Sequence, residues 1–140
     1  YLSVTDWPDL TQQPHYNIRQ ATSADGIAWR TDPEPCIDFH HPTELAIDRP
    51  TVLEDSDIRR MWFCHRGSDY AYRIGYAESR NGLTWDRRDE LAGINVSDCG
   101  WDSEMTAYPH VFDHGGKRYM LYAGNGFGRE GMGLAVLERD

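Results

Sequence analysis

Several side chains in this chain have the right types for chemistry, and their spacing decides which chemistries to set aside. Arg49 and Arg73 each carry a planar fork of donors that can clamp a hydroxyl or a carboxylate. An ion pair between neighbouring sheets is an equally good reading of either. His40 and His41 lie near Asp38 and Glu44 in a Pro-rich stretch, and these are metal-ligand types without a regular spacing to present them. No metal site is assigned there. Cys36, Cys64 and Cys99 are odd in number, widely spaced and match no zinc pattern. They read as free thiols of a reducing compartment, which makes a cytoplasmic location the expectation. Gly124-Asn-Gly-Phe-Gly128 follows no strand-to-helix pattern, so it is not expected to cradle phosphate. There is no Gly-x-Ser-x-Gly elbow, and no Ser-His-Asp or Cys-His set has supporting context.

The elements that must position these residues are strands. The 140 residues suffice for one domain with a sizeable core. Aromatic residues, glycines and turn formers are plentiful, and no long helical period occurs. The formal net charge of −9 disfavours nucleic acid and anionic membranes as partners. No apolar run approaches the ~20 residues of a membrane span. The first residues show neither a charged n-region nor an apolar h-region, so no secretory leader is expected.

The chain also repeats itself. Tyr16-Asn-Ile-Arg-Gln-Ala-Thr-Ser-Ala-Asp-Gly-Ile-Ala-Trp29 returns 56 residues later as Tyr72-Arg-Ile-Gly-Tyr-Ala-Glu-Ser-Arg-Asn-Gly-Leu-Thr-Trp85. Each copy reads as an alternating strand, a short Asx-Gly hairpin turn and a second strand closed by Trp. Arg49-Pro-Thr-Val-Leu53 and Tyr108-Pro-His-Val-Phe112 match at an offset of 59, as do Arg60-Met-Trp-Phe63 and Tyr119-Met-Leu-Tyr122. A full unit is therefore strand A (x-Pro-x-Val), B (Met-aromatic), C (Ile-Gly-Tyr-Ala) and D (Leu-Thr-Trp), a sheet-sized repeat. The expected fold is all-β, a partial β-propeller of about two and a half to three antiparallel four-stranded blades. Residues 1–140 form a single half-propeller domain. Blade one (1–32) lacks its first strand, blade two spans 46–88, and blade three (106–140) lacks its last strand. The stretch 31–46, with Pro33, Pro35 and Pro42, reads as a loop. Residues 8–15 and 88–106 read as loops too. Trp29, Trp62 and Trp85 are assigned to the core, whereas Trp101 and Phe127 fall in loops, where their rings are available for stacking.

These motifs resemble the C-terminal half of the five-bladed β-propeller glycosidases, the arabinanase, xylosidase, invertase and levansucrase-like enzymes. The residues that carry the likeness are Asp48-Arg-Pro-Thr-Val-Leu, Arg60-Met-Trp-Phe, the Tyr72–Trp85 repeat, Trp101-Asp-Ser-Glu-Met-Thr-Ala-Tyr-Pro-His-Val-Phe112 and Met120-Leu-Tyr-Ala-Gly-Asn125. The resemblance implies a central funnel lined by acidic residues at the starts of the A strands, where paired carboxylates divide proton donation and charge between them. On this chain it implies Asp48 as one catalytic acid and Glu104 as the other. Arg49, Arg73, Asp102, Tyr108 and His110 would bind substrate. The third unit begins Tyr108-Pro109-His110, where the family usually places an acid. No cofactor is implied, although His110 could coordinate a channel ion. The implied partner is a carbohydrate. Plainer readings stand beside these: Asp48 as a turn residue ahead of a strand, Glu104 as a loop glutamate, His110 as a packed strand histidine. The alternative function is a non-catalytic half-propeller whose open edges pair with another copy, a dimer being favoured.

Overall fold

The computed structural model describes residues 1–6 and 14–138. Trp7 and almost all of the connection assigned to residues 8–15 lie outside the described residues. The described residues form one turn of 3-10 helix, at Asp89–Leu91, and ten strands. They are β1 (Leu2–Asp6), β2 (His15–Thr22), β3 (Arg30–Ile37), β4 (Glu44–Asp55), β5 (Ile58–Gly67), β6 (Arg73–Ser79), β7 (Asp86–Arg87), β8 (Ala107–His114), β9 (Lys117–Ala123) and β10 (Met132–Val136). The protein is all-β, and its sheets are not closed. One sheet runs β1-β2-β4-β5-β6-β7 with β3 also on β2; the other is β10-β9-β8. Strands β4 to β7 form an antiparallel meander, and only the Tyr16–Ala46 parallel bridge ties it to β2. Among the described residues no helix is long and apolar enough to cross a membrane.

β5 shows why the meander holds. Met61, Trp62, Phe63 and Cys64 are consecutive and all buried, so both faces of this central strand are covered. Met61 and Phe63 pack with Ile18, Ile37, Ile47 and Ala77 on one side. On the other, Trp62 packs with Ile74, Tyr76, Val111, Met120 and Tyr122, which bridges the two sheets.

The repeated motif folds the same way twice. Ser23 Oγ accepts from Gly26 N (2.8 Å), and Asp25 Oδ1 accepts from Ile27 N and Ala28 N (2.8 and 2.9 Å). Ser79 and Asn81 do the same for Gly82, Leu83 and Thr84. These Asx turns occupy the whole gap between strands, so they are longer than the expected short hairpin turns. The fourth strands consequently start after the tryptophans, as β3 and β7. Trp29 is 61% exposed and does not join the core, contrary to the assignment from sequence. Trp85 is half-buried against Tyr1 (5.3 Å between ring centroids).

The Pro-rich stretch is also not a plain loop. Residues 30–37 form β3, bonded on one side only to β2 with two register shifts. An edge strand has no ladder on its outer side, so Pro33 and Pro35 leave no buried acceptor unpaired. β4 begins at Glu44 rather than near Asp48, because Glu44 is an interior anchor. Its fully buried carboxylate accepts from Arg87 Nη2 (2.7 Å) and Nη1 (2.9 Å) and from His40 N (2.7 Å), and His65 Nδ1 lies 3.0 Å away. Arg87 also grips Asp89 at 2.7 Å and lies over the Phe63 ring. Burial alone would raise the Glu44 pKa, but His65, Arg87 and the His40 amide together pull it down to about 2.

This network has a pH signature. The native state holds Glu44 ionised below its ordinary pKa, so its contribution is complete above about 4.5 and fades as pH falls toward about 2. Glu44→Gln should destabilise the protein at pH 7 by about 3 kcal/mol, since buried Arg87 would keep only Asp89 of its two charge partners. In urea unfolding, the gap between variant and wild type should narrow steadily below pH 4.5. A pH-independent gap would exclude this account.

Candidate functional site

The site is built where β4 meets β8. Both strands carry a register shift at the repeated x-Pro pair, between Asp48 and Thr51 and between Ala107 and His110. Arg49 (φ 55°) and Tyr108 (φ 57°), each just before a proline, take the left-handed conformation. That region is sparsely used by non-glycine residues, and a following proline favours an extended backbone instead. Two matched sites of strain thus face each other across the sheet boundary, a pattern that concentrates at functional sites.

Around them gathers a polar cluster. Thr51 Oγ1 donates to Pro109 O (2.6 Å), and Tyr108 N donates to Cys64 Sγ (2.9 Å). Cys64 stands opposite Asp48 in the β4–β5 ladder. The Tyr72 hydroxyl donates to Asp48 Oδ2 at 3.4 Å, whereas Asp48 Oδ1 is buried with no hydrogen-bond partner among the described residues. Burial pushes the Asp48 carboxyl upward, against the opposing pull of Arg49 and of hydrogen bonds from Tyr72 and Cys64. Burial and the neighbouring Asp48 charge push the Tyr72 phenol to about 12, so it stays a donor. The same two causes drive the Cys64 thiol well above its usual range, which makes it a poor nucleophile. Arg49 lies over the Tyr108 ring (5.2 Å) and Arg66 over the Tyr72 ring (5.7 Å). Phe127, 57% exposed, stacks on Tyr108 and meets Tyr72 edge-on, both at 5.9 Å.

Asp48, Arg49 and Tyr108, singled out from the sequence, are therefore brought together. The others stand apart from that cluster in different ways. Glu104 is exposed, but its main chain is held: Glu104 N donates to Asn125 Oδ1 and Arg73 Nη1 donates to Glu104 O, each at 2.8 Å. Arg73 Nη1 also reaches the Ala71 and Tyr72 carbonyls. Asp102 is buried and accepts from the Tyr122 hydroxyl (2.9 Å), beside the inter-sheet core. His110 is exposed on β8, with its ring 5.8 Å from Phe112. Among the described residues no group of three or more metal-ligand side chains converges. Trp101, expected to be available for stacking, packs on Tyr122 and against the glycine-rich loop. A Cβ on Gly124 would come within 2.4 Å of the Trp101 carbonyl.

Sequence reasoning missed Cys64, Tyr72 and Asn125. Tyr72 opens a matched strand motif, and Cys64 reads from sequence as a free thiol with no site role. Asn125, buried under the 100–105 loop, has no local signal at all.

Comparison with known proteins places this frame. No family model matches the chain. The uncharacterized proteins MT1551 and Rv1502 of Mycobacterium tuberculosis are each 46% identical over 138 residues, covering 99% of this chain and 46% of theirs. The chain spans about half the length of the curated relatives it matches. A solved glycoside hydrolase superposes with a TM-score of 0.74 at 16% identity, over 99% of this chain and 40% of that one. A GH32 beta-fructofuranosidase of Bombyx mori, as a mutant in complex with sucrose, gives 0.76 at 19% identity, over 99% and 31%. The fold is thus shared with glycosidases, and coverage of 31 to 40% of those chains is consistent with a partial propeller.

The burial of Asp48 predicts a stability cost for holding the charge. Its folded-state pKa is raised, so stability falls as pH climbs through the ordinary carboxylate range near 3.8 toward that higher value. Asp48→Asn should therefore melt higher than wild type at pH 7, with the advantage vanishing below pH 3.8. A lower melting temperature at pH 7 would mean the ionised carboxylate is stabilising where it sits.

Proposed function

We propose that this chain is part of a carbohydrate-active protein, with a sugar bound where β4 and β8 meet and a glycosidic bond hydrolysed by Asp48 and Glu104. The observation that carries this reading is Asp48 Oδ1, a buried acceptor with no hydrogen-bond partner among the described residues. Such atoms call for an outside donor, and a sugar hydroxyl is one. The exposed Tyr108–Phe127 stack offers an apolar face beside it, and Arg49 offers donors. The fold likeness to glycosidases supports the same substrate class. The two carboxylates differ in surroundings, which is how such pairs divide their work. Asp48, half-buried with one oxygen fully enclosed, is pushed toward its protonated form, whereas the Glu104 side chain is exposed. The β-fructofuranosidase likeness makes sucrose the natural probe. Hydrolysis measured by reducing-sugar release should drop roughly 100-fold or more in both Glu104→Gln and Asp48→Asn. Full turnover in both variants, with unchanged folding, would remove these carboxylates from the chemistry.

A second reading is non-catalytic assembly, favoured by the edge at β10. Among the described residues β10 pairs only with β9, and its Met132 and Leu134 are 70% and 57% exposed. The edge at β3 is blunted by Asp32, Glu34 and two prolines. The β10 edge has no such protection, so two copies meeting there would pair isologously, edge to edge. Light scattering at micromolar concentration should then report a dimer, and Leu134→Lys should return it to monomer. A wild-type monomer would end this reading.

A further inference from the structure

We infer that Tyr72 and Arg73 are paired positioning residues that hold the Asp48 carboxyl and the Glu104 main chain in one fixed relation. The inference rests on the hydrolase reading for its purpose but on geometry for its content. Tyr72 lies just ahead of β6, and Arg73 is that strand's first residue. Adjacent side chains of an extended segment point to opposite sides, so neighbours can serve two different places. The Tyr72 hydroxyl reaches Asp48 Oδ2 (3.4 Å), and the Tyr72 carbonyl accepts from Thr106 N (3.0 Å). Arg73 Nη1 reaches Glu104 O (2.8 Å) and returns to the Tyr72 carbonyl (3.0 Å). From the far side, Asn125 Oδ1 accepts from both Glu104 N (2.8 Å) and Met105 N (3.2 Å). Glu104 is therefore an exposed side chain on a main chain held at both its N–H and its carbonyl. Cys64, Tyr72, Met105 and Ala107 pack together as the floor joining the two positions.

An exposed loop glutamate with no task needs none of this. Arg73 spends its guanidinium on carbonyls alone, which fixes the loop without neutralising a carboxylate. A loop held to within a fraction of an ångström is what a carboxylate pair requires, since a misplacement of about 1 Å can cost on the order of 100-fold in rate.

The test compares wild type with Arg73→Ala, Arg73→Lys and Tyr72→Phe in the full chain. Amide exchange at Met105 and Thr106 reports the loop, carbon-13 NMR reports the Asp48 titration, and sucrose is the probe for turnover. Arg73→Ala should speed exchange at both amides by roughly tenfold or more. It should also displace the Asp48 titration through Tyr72 and lower kcat about tenfold with KM little changed. Arg73→Lys should recover part of each effect. Tyr72→Phe should raise the Asp48 midpoint while leaving exchange at Met105 near the wild-type rate. If Arg73→Ala leaves both the exchange and the Asp48 titration as in wild type, the inference is overturned. If both respond but the wild-type protein does not cleave sucrose, the positioning role stands and the assigned reaction fails on its own.

Discussion

Among the described residues the two sheets share no ladder of hydrogen bonds, so their boundary depends on how β4 is held against β8 and β9. The strongest tie is the Arg118 fork. Its nearly buried guanidinium donates to both oxygens of Asp55 (2.8 and 2.6 Å) and both of Asp113 (2.8 and 2.9 Å). Asp55 also takes Arg60 Nε at 2.8 Å. The Arg118 and Arg60 hydrogen bonds, against a smaller opposing effect of burial, hold the Asp55 carboxyl at about 2. Bidentate pairing of this kind supplies direction as well as energy. The apolar core around Trp62 and Met120 would tolerate small slides between sheets, whereas a planar fork on two carboxylates sets one register.

That register decides the geometry at the other end of β4. With Asp55 fixed, the bulge at Asp48–Thr51 lies opposite the bulge at Ala107–His110, and Thr51 bonds directly to Pro109 O. Left-handed Arg49 and Tyr108 each cost of order 1–3 kcal/mol, so the surroundings must over-determine them. They do: Tyr108 N is taken by Cys64 Sγ and Arg49 N by Ser3 Oγ (3.2 Å). The strain turns the chain so that Asp48 is half-buried, with Oδ1 enclosed, while Arg49 and Tyr108 stand together at the surface beside Phe127. Stability is surrendered at the same place where the polar groups converge, which is the usual relation between a site and its scaffold.

Much of this was legible beforehand because it is written in short-range pattern. The Ser-x-Asx-Gly turns fold alike because the same side-chain oxygens cap the same amides, whatever surrounds them. The β5 run Met61–Cys64 announces a strand covered on both faces. The pairs Arg49-Pro50 and Tyr108-Pro109 recur at a fixed offset, and the resemblance to the propeller glycosidases pointed from that motif to Asp48. The misplacements have a common origin as well. Trp29 and Trp85 are equivalent in sequence, yet Tyr1 and the Phe63 cluster adjoin only Trp85. The prolines of β3 look like loop residues until β3 proves to be an edge.

The sequence alone determined the all-β class, the repeating unit and its turns, since each follows from contacts within a few residues or from repetition. Only the tertiary structure decided which polar groups share a site. Asp102 was drawn off to Tyr122, Arg73 to the Glu104 carbonyl and Glu44 to Arg87, through partners 20, 31 and 43 residues away. Hydrogen bonds of that reach depend on how two sheets pack, and no local pattern encodes the outcome.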